Sequence, residues 1–152
     1  MPKLFTPTAL GRIELRNRVV MAPMTRSRAG QDDEPTEMVV EYYRQRAGAG
    51  LIVSEGIYPS FDGKGYCRTP GIVTTTQVKA WRKVTDAVHN EGGRIVAQIM
   101  HCGRVAHPDN KPRDAETVAP SAIPAKGDMY TDTKGMQPMT APRAIHREEI
   151  PT

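Results

Sequence analysis

The sequence predicts an α/β protein built on a parallel sheet, and three observations predict it. The runs Val19-Val20-Met21-Ala22, Leu51-Ile52-Val53 and Ile95-Val96-Ala97 are apolar with little polar alternation, as in strands buried on both faces. Between them lie two stretches of helical periodicity, so the order is strand, helix, strand, helix, strand. Each apolar run ends in small or polar residues, namely Pro23-Met24-Thr25-Arg26, Ser54-Glu55-Gly56 and Gln98-Ile99-Met100-His101. In parallel α/β folds ligands sit at the C-terminal ends of the strands, so three strand ends direct chemistry at one face.

The elements follow in order. Leu4 to Leu15 carries short apolar patches around Gly11, with Pro7 interrupting, and suits a small hairpin that plugs one end of something larger. The first core strand spans roughly Arg18 to Ala22, and a polar loop from Ser27 to Pro35 leads to a helix that Thr36 can cap. Val39, Tyr43 and Ala47 share one face of that helix, and Gly48 and Gly50 bracket its end before the second strand. A loop rich in Gly, Tyr and Pro then runs from Ser54 to Thr76. The next helix, Gln77 to Glu91, is capped by Thr76, sets Val78, Trp81, Val84 and Val88 on one stripe, and stops at Gly92-Gly93 ahead of the third strand. From His101 to His146 the pattern dissolves into a segment holding six prolines, and a structureless loop of that length is either a functional lid or evidence against the assignment. Arg147 to Thr152 suits the first turn of a helix, with Glu148 and Glu149 favouring its N-terminus.

Composition narrows the function. A chain of 152 residues can bury a real core, roughly 70% of its unfolded surface, and one domain is expected. The net charge of +4 is scattered without a run of like charges, and no aromatic platform is interleaved with it, which argues against a nucleic-acid partner. Cys67 and Cys102 lack paired spacing, so neither a disulfide framework nor a metal site is supported, and reduced thiols fit a cytoplasmic location. No 18-residue apolar stretch and no signal-type segment occurs, so no membrane is expected. Three parallel strands under two helices would leave open strand edges and aliphatic surface in water, so the chain is expected to be part of a larger fold.

The motifs accumulate along the whole chain. They are Leu4-Phe5-x-Pro7, Asn17-Arg18-Val19-Val20-Met21-Ala22-Pro23-Met24-Thr25-Arg26, Tyr42-Tyr43-x-Gln45-Arg46-Ala47, Ser54-Glu55-Gly56, Thr69-Pro70-Gly71-Ile72, and His89-x-x-Gly92-Gly93-Arg94-Ile95-x-x-Gln98-Ile99-x-His101-x-Gly103-Arg104. Together with Pro142-Arg143-Ala144 and Glu149-Ile150-Pro151, they resemble the N-terminal part of the Old Yellow Enzyme family of flavin-dependent ene-reductases. The resemblance implies the N-terminal part of a (β/α)8 TIM barrel: a hairpin, about three βα units and a long capping loop, with residues 1–152 forming one segment of a single FMN-binding domain.

By that resemblance, the backbone of Pro23 and Met24 lines the flavin ring and the Thr25 hydroxyl donates a hydrogen bond to flavin O4. A donor there stabilises the reduced, more anionic ring and raises its potential. Gly56 resembles the position whose backbone approaches the flavin edge, and Gln98 the glutamine whose amide gives the pyrimidine ring a donor and an acceptor. Thr25, Tyr66 and Met100 belong to the substrate pocket. Met100 stands where many relatives carry Trp, and a flexible thioether in place of an indole softens that pocket. His101 and Cys102 are adjacent on a strand and point to opposite faces, which argues against a covalent Cys/His pair.

The implied activity is reduction of activated C=C bonds (enones, maleimides, nitro compounds) by NAD(P)H through FMN. None of His89, His101, His107 and His146 fits the family's His-x-x-Asn or His-x-x-His pair, so no catalytic residue is assigned to this chain. The leading expectation is therefore that a second polypeptide supplies the C-terminal half of the barrel. The alternatives are an inactive truncated fragment and a non-catalytic flavin or small-molecule binding module.

Overall fold

In the computed structural model, residues 3–112 and 114–150 are described. The N-terminal segment forms the expected antiparallel hairpin of β1 (Thr8–Leu10) and β2 (Ile13–Leu15), with Thr8 opposite Leu15. Gly11 turns it with a φ of +57°, a conformation that glycine adopts without steric cost. The hairpin lies against the N-terminal ends of the core strands, where Arg12, Ile13 and Glu14 share a depression with Leu51 and Arg94.

Next come β3 (Val20–Met21), α1 (Glu37–Arg44), β4 (Leu51–Ile57), α2 (Thr75–Asn90) and β5 (Ile95–Ile99). The three strands form one parallel sheet in the order β3-β4-β5. α1 and α2 cover one face of it, and Val39, Tyr43, Ala47, Ile52, Ile57, Trp81, Val84 and Val88 make the core between the layers. Helical spacing and the buried-strand pattern select these residues with two corrections: Ile57 was expected in a loop from Ser54, but β4 continues to it, and Ala47 is buried although α1 stops at Arg44. Val78 is exposed, and Gln77 and Ala80 are buried on the α2 stripe instead.

Both caps depart from expectation. α2 starts under Thr74, whose hydroxyl accepts the Gln77 N–H at 3.2 Å while the Gln77 side-chain carbonyl accepts the Thr74 N–H at 3.1 Å. This reciprocal box needs a hydroxyl three residues before the glutamine, so Thr74 and not Thr76 takes the role. Thr36 occupies the N-cap position of α1 with an extended backbone, but its hydroxyl donates to the Arg28 carbonyl at 3.3 Å and caps nothing.

The expectation of strands buried on both faces holds only for β4, buried at every position but Val53. β3 is two residues long, and Val20 is 51% exposed. β5 leaves Val96 and Ile99 exposed. The cause is topological: β4 has a neighbour on each side, while β3 and β5 are edges among the described residues.

The proline-rich segment is not structureless. It holds β6 (Val118–Ala119), β7 (Asp128–Thr131), β8 (Gly135–Pro138) and β9 (Arg143–Ala144), with β7 and β8 in a hairpin and β6 parallel to β9. The hairpin is signalled by only one short alternation, Met129 and Thr131 buried against exposed Asp128 and Tyr130. Thr131 closes its turn, accepting from the Lys134 N–H and donating to the Gly135 carbonyl. Arg147–Glu149 is a 3-10 turn in which Glu149 accepts the His146 N–H, and the Arg143 guanidinium draws its carboxyl down to about 2. Pro151 and Thr152, also expected in that helical turn, lie outside the described residues.

Candidate functional site

The three strand ends meet at the C-terminal edge of the sheet, and a bulge in β4 sets their register. Val53 pairs with Val96 and Gly56 with Gln98, so two residues of β4, Ser54 and Glu55, face the single residue Ala97. The Ser54 hydroxyl fills the gap: it donates to the Glu55 carbonyl at 2.8 Å and accepts the Gln98 N–H at 3.0 Å. Bulges of this kind re-aim side chains beside functional sites. Beyond it the Met100 N–H donates to the Ile57 carbonyl at 2.9 Å, which carries the pairing past the end of β5.

The expected residues are brought together as follows. Gly56 lies directly across from Gln98. A side chain on Gly56 would strike the Met100 methyl and come to 3.0 Å from its sulfur, so this glycine makes room for Met100. Pro23, Met24 and Thr25 follow β3 on its exposed continuation. Tyr66, 39% exposed, sits on the β4–α2 loop beside Gly65, which packs on Cys102 and the Val105 carbonyl. The structure thus carries Tyr66 to the β5 end without placing its ring on the other residues. His101 and Cys102 lie beyond β5, which ends at Ile99, so they are not the adjacent strand residues expected. His101 faces Asp62 at 3.5 Å and accepts the Gly103 N–H, while burial pushes the Cys102 thiol up.

Glu55 is the residue to which sequence reasoning assigned no role. It is 1% exposed, its N–H donates to the Tyr43 hydroxyl at 2.7 Å, and its Oε2 accepts the Arg26 N–H at 3.2 Å. Its Oε1 is buried and has no partner among the described residues. Burial pushes the carboxyl up from its ordinary value, against the smaller opposing effects of the Arg26 amide, the Arg26 charge and the Tyr43 hydroxyl. Burial likewise raises Tyr43, which stays a hydroxyl at neutral pH. The signal was present in the sequence as the one charged residue just after the apolar run Leu51-Ile52-Val53.

A carboxyl raised on folding favours the native state fully below its unfolded value near 4.5, and that contribution fades as pH climbs through the higher folded value. Glu55→Gln, neutral throughout, is therefore expected to gain stability over the parent as pH rises from 4 to 8, with no gain at the acid end. Urea titrations of both proteins across that range check this; a difference independent of pH contradicts it.

The polar groups at the strand ends are uncommitted. Among the described residues, neither the Thr25 hydroxyl nor the Gln98 side-chain amide bonds to another group of the protein, and Thr25 is exposed. One donor-acceptor hydroxyl, one amide with both polarities and a glycine backbone between them suit the O4–N3–O2 edge of a flavin, which alternates acceptor, donor and acceptor. The residues present thus fit FMN. No group of three or more His, Cys, Asp and Glu that could hold a metal occurs among the described residues.

The family model described as NADH:flavin oxidoreductase / NADH oxidase matches residues 3–152. The chain belongs to this family. Within the NADH:flavin oxidoreductase family it is 42% identical over 147 residues to a flavin oxidoreductase of Emericella nidulans, covering 90% of this chain and 37% of that protein. It is 37% identical over 151 residues to a probable flavin mononucleotide-dependent alkene reductase of Leishmania infantum, covering 97% of this chain and 41% of that one. Among solved structures, an Old Yellow Enzyme homologue of Zymomonas mobilis superposes with a TM-score of 0.91 at 44% identity, over 97% of this chain and 41% of that one. A morphinone reductase variant in complex with tetrahydroNAD gives 0.90 at 45% identity, over 98% and 42%. The chain spans about two fifths of the length of these relatives, and its fold is that part of the Old Yellow Enzyme TIM barrel. No helix among the described residues is long and apolar enough to cross a membrane.

Proposed function

We propose that this chain is the flavin-ring side of an FMN-dependent reductase of activated alkenes, with NAD(P)H as electron donor. The observation that carries the reading is the set of uncommitted Thr25 and Gln98 groups flanking Gly56 at the strand ends of a family member. FMN bound there would supply the two-electron chemistry linking the nicotinamide to the alkene. The Pro23-Met24 backbone lines the ring. The Thr25 hydroxyl donates to O4, and Gln98 holds the pyrimidine edge with a donor and an acceptor. Met100, seated on Gly56, and Tyr66 bound the space for an enone, maleimide or nitroalkene, and the thioether gives that space a deformable wall.

No group of this chain is assigned as proton donor or phosphate clamp. We propose that a second polypeptide brings both as it closes the barrel, pairing with the free edges of β3 and β5 and covering Val20, Val96 and Ile99. The unpaired Cys67 and Cys102 suit the reducing cytoplasm. Purification of the native assembly tests the reading: a flavin absorbance spectrum, an intact mass larger than this chain, and NAD(P)H-dependent reduction of cyclohexenone are expected. A colourless assembly overturns it.

Thr25→Ala is expected to lower the flavin midpoint potential and slow reduction by the nicotinamide, with little change in alkene KM, since the hydroxyl acts on ring electronics. Redox titration and stopped-flow reduction of the holoprotein check this, and an unaltered potential contradicts the role.

A further inference from the structure

The Thr25 hydroxyl can act on a flavin only if the chain after β3 is held still, and that chain is exposed from Ala22 to Arg26. What holds it is unusual. The amide following Thr25, that of Arg26, donates to a carboxyl oxygen of Glu55, a side chain anchored at 1% exposure in the neighbouring strand. Glu55 is fixed from behind by Tyr43, 0% exposed, whose hydroxyl accepts the Glu55 N–H, and by the Ser54 hydroxyl on its carbonyl. A hydrogen-bonded path thus runs from the α1 core through the β4 bulge to the residue next to Thr25. A buried carboxyl with a free oxygen costs stability, and such costs concentrate where a site requires them.

We propose that Glu55 is a positioning residue that sets the Thr25 hydroxyl through the Arg26 amide, and so tunes the bound flavin without touching it. This rests on the placement of FMN proposed above. The requirement is for an acceptor at the carboxyl position and not for a charge, because a carboxylic acid or an amide carbonyl accepts the Arg26 N–H as a carboxylate does. Burial of Glu55, which favours the neutral acid, agrees with that requirement.

The experiment compares Glu55→Gln with Glu55→Met in the complete holoprotein. Glutamine keeps an acceptor, whereas methionine keeps the length and removes it. Glu55→Gln is expected to hold the parental flavin midpoint potential. Glu55→Met is expected to shift it in the same direction as Thr25→Ala and to slow nicotinamide reduction about tenfold, the equivalent of one lost hydrogen bond. In a Thr25→Ala background Glu55→Met should add no further shift, an outcome that a merely structural role would not produce. A measurement without variants stands behind these: hydrogen exchange of the Arg26 amide in the parent, expected to be slow despite its exposed setting. If the parent carries FMN but Glu55→Met leaves the potential unchanged, or the Arg26 amide exchanges freely, the role of Glu55 is overturned alone. If the parent carries no FMN, the reading of the site falls, and this role falls with it.

Discussion

Lys64→Met is expected to destabilise the folded protein by about 3–5 kcal/mol, the usual cost of leaving one half of a buried ion pair without its partner. The Lys64 ammonium lies 2.7 and 2.6 Å from the two oxygens of Asp33, and the side chains are 9% and 13% exposed. Tyr58 also donates to Asp33, at 2.7 Å, and Gln77 donates both to the Tyr58 hydroxyl and to the Asp32 carbonyl. Four segments meet there: the loop after Thr25, the end of β4, its following loop and the first turn of α2. Without Lys64 the Asp33 carboxylate keeps one hydroxyl and little water. Asp33→Asn combined with Lys64→Met should recover most of the loss, because both charges then leave together. Urea denaturation of the assembled protein at neutral pH measures both. A single-variant loss below about 1 kcal/mol would show that the pair behaves as a solvated surface bridge.

Gln98→Ala is expected to raise the FMN dissociation constant about a hundredfold. Two directed hydrogen bonds to the flavin edge disappear, each leaving a buried polar group of the ring unmatched at a cost of about 1–3 kcal/mol. The main chain should not move, since the register of β5 is held by the Gln98 N–H on Ser54, which the substitution keeps. Flavin retention after dialysis, followed by absorbance and by apoprotein titration with FMN, separates the cases. Unchanged occupancy with native circular dichroism would remove Gln98 from the site.

The sheet, its parallel sense and the two covering helices were legible because they are written in local periodicity. Val39 and Tyr43 on α1, and Trp81, Val84 and Val88 on α2, fall on stripes that permit only one buried face. The strand-end positions of Thr25, Gly56 and Gln98 were legible for the same reason, and the family followed from motifs spread along the whole chain. The β7–β8 hairpin was not, since four alternating residues among prolines carry little periodic signal. The true cap of α2 was hidden among three consecutive threonines, where only the reciprocal bond with Gln77 selects Thr74.

By itself, the sequence determined which residues are apolar, at what period, and which polar groups follow each run; these are properties of neighbours along the chain. Only the tertiary structure decided that β4 is buried while β3 and β5 present free edges, that a bulge sets Gly56 across from Gln98, and that Met100 fills the space above that glycine. It also decided that Glu55 turns from solvent to grip the amide beside Thr25. Such facts depend on contacts between segments about 30 to 45 residues apart, whose geometry follows from packing and hydrogen-bond satisfaction across strands, and no local pattern encodes it.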